Sequence, residues 1–167
     1  MTSISPNQVV LALVLILRLV EFWLSRINAE RRLADGSIEH GETLHGAISL
    51  FHAIWLAVLV MQVDLDAEAE PSWLTAAVAL LLLRAARLFQ ARRHWTWRLL
   101  TGPGDLPAID PTQNLRGLAY MPMLAELLVI PLVFGLKWIS LAGAVIYGCL
   151  AWQRAEMERR LGITRRG

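Results

Sequence analysis

Five stretches of this 167-residue chain, 9–24, 44–63, 73–89, 118–136 and 138–152, carry very few charges. Each is roughly 15–20 residues long, near what a helix needs to cross about 30 Å of hydrocarbon. Lipid offers the backbone no hydrogen-bond partner, so a crossing segment must satisfy its own N–H and C=O groups, as a helix does. Apolar and polar residues do not alternate along these stretches, which argues against the strands of a membrane barrel. The expected fold is all-α, an integral membrane bundle of five transmembrane helices forming one domain over 1–167. Composition agrees: charged residues are 18% of the chain, against about 25% in an ordinary soluble domain, and mean hydropathy is +0.47.

Charge between the stretches orients them. Arg26, Arg31 and Arg32 follow the first stretch, Arg92, Arg93, Arg98 and Arg116 follow the third, and the tail carries Arg154, Arg159, Arg160, Arg165 and Arg166. The 64–72 connection has Asp64, Asp66, Glu68 and Glu70 with no basic residue, and the last connection has only Lys137. Basic loops stay cytoplasmic. The pattern therefore predicts an outside N-terminus, a cytoplasmic C-terminus and a multi-pass integral membrane protein. No cleavable signal peptide is expected, because the first stretch lacks a preceding Lys or Arg and runs into Glu21. A net charge of +2 without a zinc-finger, helix-turn-helix or aromatic-basic motif excludes a nucleic-acid partner. The one cysteine, Cys149, can form no internal disulfide and reads as a small buried hydrophobe.

Residues 134–137 leave room only for a tight turn between two helices. Gly143 and Gly148 allow close helix contact in the fifth stretch, and Pro122 and Pro131 should bend the fourth.

Ionisable residues inside lipid mark function by default. Arg18 and Glu21 are three apart and share a helical face, as do Arg84 and Arg87. Arg18 and Arg84 lie near the predicted cytoplasmic end, where a long side chain can snorkel to water. Glu126 is too short to snorkel, so it should be paired or protonated. His45 and His52, seven apart on one face, suit hydrogen bonding better than metal or haem, since one pair without cysteine makes a poor site. No P-loop, nucleophile elbow, HExxH or CxxC is present, and no metal site is expected. In the 91–117 loop, Arg92, Arg93, Arg98 and Arg116 could gather an anionic group at the membrane face.

A longer series of residues runs in order through the chain. It begins with Arg18-Leu-Val-Glu21, Ser25, Asn28, Gly36, Glu39 and Gly41, then Phe51-His52-Ala-Ile-Trp55-Leu56. Leu83-Arg84, Arg93-His-Trp95-Thr-Trp97-Arg98 and Pro103-Gly104 follow, and then Arg116, Tyr120, Glu126, Pro131-Leu132, Arg154, Glu158 and Leu161. This series resembles the isoprenylcysteine carboxyl methyltransferase family, especially its short bacterial branch. The resemblance implies a helical core in the bacterial inner membrane that transfers a methyl group from S-adenosylmethionine to the carboxylate or hydroxyl of a lipidic acceptor. It implies that Arg116, Tyr120, Glu126, Arg154 and Glu158 line the cofactor pocket. Arg18, Glu21, His52, Trp55, Trp95 and Arg98 would serve the substrate or the scaffold. Where the family carries Arg-His-Pro-Asn-Tyr, this chain has Arg116-Gly-Leu-Ala-Tyr120, and Pro111-Thr-Gln113 stands in place of Gly-Pro-Tyr. Two or three lost hydrogen bonds at about 1–3 kcal/mol each would weaken cofactor binding. The alternative is a non-catalytic relative that binds a lipid or quinone, or serves as a subunit of a membrane complex.

Overall fold

The computed structural model describes residues 5–93, 95–102 and 120–160, with side chains described as far as Glu158. Arg116 and the rest of 103–119, as well as His94, lie outside the described residues. The elements in chain order are α1 (Pro6–Ala34), β1 (Ile38–His40), α2 (Glu42–Gln62), α3 (Pro71–Ala91), β2 (Leu99–Thr101), α4 (Met121–Val133) and α5 (Lys137–Arg160). The chain is thus mostly helical. Helices α1, α2 and α3 are each long and apolar enough to cross a membrane.

Local chemistry sets the helix limits. Ser5 caps α1: its Oγ accepts from Gln8 N at 3.2 Å, and Gln8 Oε1 accepts from Ser5 N at 3.3 Å. That reciprocal pair satisfies two backbone donors the first turn leaves open. Gly135, at φ +72°, turns α4 into α5, where Leu136 N donates to Pro131 O at 2.9 Å. The predicted tight turn at 134–137 is therefore present. Pro122 falls in the first turn of α4, where its missing N–H costs nothing, so it starts the helix instead of bending it. Pro131 does lie inside α4. Ser140 of α5 donates to the Leu128 carbonyl at 2.6 Å and ties the two helices of this hairpin together.

Packing runs α1–α3–α4–α5–α2, each helix against the next in that series. The core between them includes Val10, Val14, Trp55, Leu59, Leu81, Leu127, Ile130 and Tyr147. Gly143 permits the α2–α5 approach, because a Cβ there would meet Trp55 Nε1 at 2.8 Å. Gly148, expected to do the same, faces open space. Outward-facing side chains are large and apolar, among them Leu19, Phe22, Leu50, Met61, Leu82 and Phe89. A solvent of lipid tails leaves such residues where they are and removes the hydrophobic penalty for exposing them.

Helix α1 extends ten residues past the end of its apolar stretch. Its buried face repeats every three or four residues as Asn7, Leu11, Val14, Arg18, Glu21, Ser25 and Asn28. Both ends of that stripe are anchored by hydrogen bonds. At the start, Asn7 Nδ2 donates to Asp64 O at 3.1 Å and Ala67 O at 2.9 Å, and Ser5 Oγ donates to Leu65 O. At the finish, Asn28 Nδ2 donates to Arg92 O at 2.9 Å and Trp95 O at 2.8 Å, while Ser25 Oγ accepts from Trp97 N at 2.9 Å. Helices α1 and α3 therefore run parallel, with the acidic 64–70 connection at one end and the 92–98 segment at the other. The second end also holds an antiparallel pair of strands, Ile38 opposite Thr101 and His40 opposite Leu99. An all-α expectation omits it; three-residue strands so far apart in sequence leave no periodic signal.

Candidate functional site

Two polar clusters occupy the bundle. The first is a closed ring of charge among α1, α3 and α4. Arg84 grips Glu21 through both Nε and Nη2, a two-point fork on one carboxylate. Its third nitrogen, Nη1, donates to Glu126 Oε1 at 2.8 Å. Arg18 closes the ring with Nη2 on Glu126 Oε2 at 2.7 Å and Nη1 on Glu21 Oε2 at 3.3 Å. All four side chains are buried. Their formal charges sum to zero, the condition under which ions tolerate a dry interior.

The ring corrects one expectation and upholds another. Arg18 and Arg84 do not snorkel; each turns inward to a carboxylate on another helix. Glu126 is paired, as its depth required, and both its oxygens are taken. Side chains from α2, α4, α5 and the 92–98 segment surround the ring. Met123 Sδ of α4 lies 3.5 Å from Arg84 Nη1 and 3.3 Å from His52 Nε2. His52 Nδ1 lies 2.8 Å from the Ile48 carbonyl. A carbonyl only accepts, so Nδ1 carries the proton and Nε2 turns a lone pair toward the sulfur. Tyr147 of α5 meets the His52 ring edge-on at 5.5 Å, and the Arg84 guanidinium sits 5.9 Å from the Trp97 ring.

The second cluster lies where α4 begins and α5 ends. Tyr120 Oη donates to Glu158 Oε1 at 2.7 Å, and Arg154 Nε donates to the same oxygen at 3.2 Å. Arg154 Nη1 reaches the Trp97 carbonyl at 2.5 Å. Burial pushes the Tyr120 phenol above its ordinary value of 10.0; Glu158 adds to the shift and Arg154 opposes it. Arg98 pairs with Glu39 at 3.0 Å across the strand pair. His45 lies within electrostatic reach of Arg98, Arg154 and Glu39. Gly41, at φ +69°, begins α2 against Met157 of α5, which packs where a Cβ would go.

The predicted cofactor residues are thus divided. Tyr120, Arg154 and Glu158 come together, Glu126 belongs to the ring, and Arg116 lies outside the described residues. Among the scaffold-or-substrate set, Arg18, Glu21 and His52 surround or form the ring, and Arg98 joins the second cluster. Trp55 packs on Gly143. Trp95 meets Trp97 edge-on at 5.7 Å. Trp97 links the two clusters, through Arg84 on its ring and Arg154 on its carbonyl. Met123 and Tyr147, which sequence alone did not single out, pack around the ring. The buried stripe of α1 was the available signal: Ser25 and Asn28 continue the spacing of Arg18 and Glu21.

The clusters differ in spare capacity. Within the ring, each carboxylate oxygen already accepts from an arginine. Beside the second cluster, buried His45 Nδ1 has no hydrogen-bond partner among the described residues, as is also true of Asn7 Oδ1, Trp55 Nε1 and Trp95 Nε1 elsewhere in the bundle. Arg154, Glu158 and the Tyr120 hydroxyl offer a cation, an anion and a neutral hydroxyl at one place. Such a set fits the amino-acid end of S-adenosylmethionine in charge type.

Fold and site together define a mostly helical protein with membrane-length helices and a buried ionic core. Among curated proteins, the uncharacterized protein YpbQ of Bacillus subtilis (strain 168) is 26% identical over 129 residues, which cover 74% of this chain and 77% of that protein. No protein-family model matches the chain, and no solved structure matches it significantly.

Proposed function

We propose that this chain is a multi-pass membrane methyltransferase of the isoprenylcysteine carboxyl methyltransferase type. It crosses the bilayer five times, with the N-terminus outside and the C-terminus cytoplasmic. Its acceptor is the carboxylate or hydroxyl of a lipidic molecule reaching the cytoplasmic face from the bilayer. The observation that carries this reading is the meeting of Tyr120, Arg154 and Glu158 beside Trp97, because three residues implied by resemblance alone converge at one end of the bundle. The arginine-rich 92–98 segment lies at that same end, which supports its placement on the cytoplasmic side.

S-adenosylmethionine, when bound, supplies an electrophilic methyl group. Arg154 would hold the methionine carboxylate and Glu158 its ammonium group, with Tyr120 fixing the Glu158 carboxylate. An acceptor that is already a carboxylate needs little acid–base help, so alignment supplies most of the acceleration. The ring holds α1, α3 and α4 in fixed register beneath this site.

The test is a calorimetric and thermal-stability titration of the purified, detergent-solubilised protein with S-adenosylmethionine. Micromolar binding is expected, and silence at millimolar cofactor overturns the enzyme. Gly117→His with Leu118→Pro should tighten binding by rebuilding the family motif. One observation favours a second reading, a non-catalytic lipid- or quinone-binding member or subunit of a membrane complex: both Glu126 oxygens are held by arginines and are withheld from any cofactor. A lipid, quinone or protein co-purifying in stoichiometric amount, with no cofactor response, would establish it.

A further inference from the structure

The ends of the parallel helices α1 and α3 flank an open cavity of about 340 Å³ lined by Trp23, Leu24, Ile27, Asn28, Arg31, Arg92 and Arg93. Its size falls at the lower end of the roughly 300–1,000 Å³ typical of small-molecule sites. The lining divides by chemistry. Trp23, Leu24 and Ile27 form an apolar wall on α1, and Trp23 is exposed on the outer surface of the bundle. Arg31, Arg92 and Arg93 form a cationic rim.

No carboxylate pairs with these three arginines among the described residues, whereas most other well-placed arginines have one. Arg18 and Arg84 share Glu21 and Glu126, Arg26 pairs with Glu30, Arg98 with Glu39, and Arg154 with Glu158. Arg92 instead stacks its guanidinium 5.1 Å from the Phe89 ring, which leaves its N–H edges open. Asn28 pins the Arg92 carbonyl and so sets where the 92–93 turn sits against α1. The C-terminal ends of two helices favour cations here without neutralising them. Of the four arginines expected to gather an anion, Arg92 and Arg93 line this cavity, Arg98 is held by Glu39, and Arg116 lies outside the described residues; Arg31, which was not among the four, joins the rim.

We propose that this cavity binds the phosphate-bearing headgroup of an anionic phospholipid. The arginine rim takes the phosphate, Asn28 marks the floor, and the Trp23–Leu24–Ile27 wall receives the start of an acyl chain. Guanidinium forks match phosphate geometry, and basic clusters just beyond a membrane-spanning helix attract anionic lipid. Tyr120, Arg154 and Glu158 do not line this cavity, and its occupancy does not depend on methyl transfer.

The test is native mass spectrometry of the full chain released from nanodiscs of equal phosphatidylglycerol and phosphatidylcholine, alongside melting in each lipid. One phosphatidylglycerol retained per chain in preference to phosphatidylcholine is expected. Arg92→Gln and Arg93→Gln should each weaken that preference about fivefold, and Arg31→Gln should do the same. Arg26→Gln removes an equal charge one turn away from an exposed i,i+4 pair and should leave the preference intact. All four positions are exposed, so monodisperse elution with an unchanged helical spectrum checks that each variant folds. Equal retention of both lipids, retention of neither, or an Arg26→Gln loss as large as that of Arg92→Gln would overturn the proposal.

Discussion

The ring and the end cluster are built from the same residue types, yet they are opposite in what they leave free. In the ring, two arginines and two glutamates from three helices saturate one another, and the nearest imidazole is fixed by a backbone carbonyl. At the end cluster, one carboxylate serves both Tyr120 and Arg154, and the nearby buried His45 Nδ1 has no partner among the described residues. Saturation suits a joint that must not move. Spare capacity suits a place where something binds. Buried charge in this protein is therefore not one signal but two, separated by how completely each group is satisfied.

The largest effect should come from opening the ring. Glu126→Ala leaves two buried arginines sharing one carboxylate, and the expected loss is about 3–5 kcal/mol, read as failed accumulation or a collapsed melting transition in detergent. Replacing all four members together by Leu or Met should recover much of that loss, since apolar substitution of a whole buried ion network is often neutral. If the fourfold variant folds and still binds S-adenosylmethionine, the ring is a joint and nothing more.

Gly143→Leu tests the packing between the two regions. A side chain there must displace the Trp55 indole, and overpacking of this kind costs about 1–3 kcal/mol. Melting of the variant should fall accordingly, with Gly148→Leu close to neutral because that position faces open space.

Tyr120→Phe should cost about 1.5 kcal/mol, the scale of a hydrogen bond to a charged group. Its effect on cofactor binding should exceed its effect on melting if the end cluster is a binding site. The same phenol gives a pH signature. Its folded pKa is raised above the ordinary 10.0, so the folded state holds its proton where the unfolded state has lost it. By linkage, the wild-type protein loses stability as pH climbs above about 10, and Tyr120→Phe should flatten that decline. Melting curves across the alkaline range measure it. The smallest change is expected for Arg98→Gln, below about 1 kcal/mol, because this ion pair is partly exposed to solvent.

Much of the helical layout was readable because helices long and apolar enough to cross a membrane are so narrowly constrained in length and composition. The stretches at 44–63 and 73–89 lie within two residues of α2 and α3 at each end. The first stretch stopped too early at 24, since hydropathy ends there while the stripe through Ser25 and Asn28 carries the helix on to Ala34. That stripe was legible in principle: in a helix whose apolar side chains face lipid, the recurring polar residues mark the buried side. Partners across helices were not legible. Glu21, Arg84 and Glu126 are separated by 42 residues or more, and no local spacing connects them. Their positions near helix ends made snorkelling look adequate for the arginines. The strand pair escaped notice for a related reason, since its register is set by the ends of α1 and α3 and not by any pattern in six residues.

The charge joint also has a history during synthesis. In the proposed membrane topology, once α1 and α3 have been delivered to the bilayer the joint holds Arg18, Glu21 and Arg84, a surplus of one positive charge, and Glu126 from α4 balances it. A nascent chain ending before α4 therefore carries an uncompensated guanidinium in lipid, which resists stable insertion. Truncation after residue 100 should leave α3 poorly anchored and rapidly degraded, and supplying the α4–α5 hairpin as a separate polypeptide should rescue it.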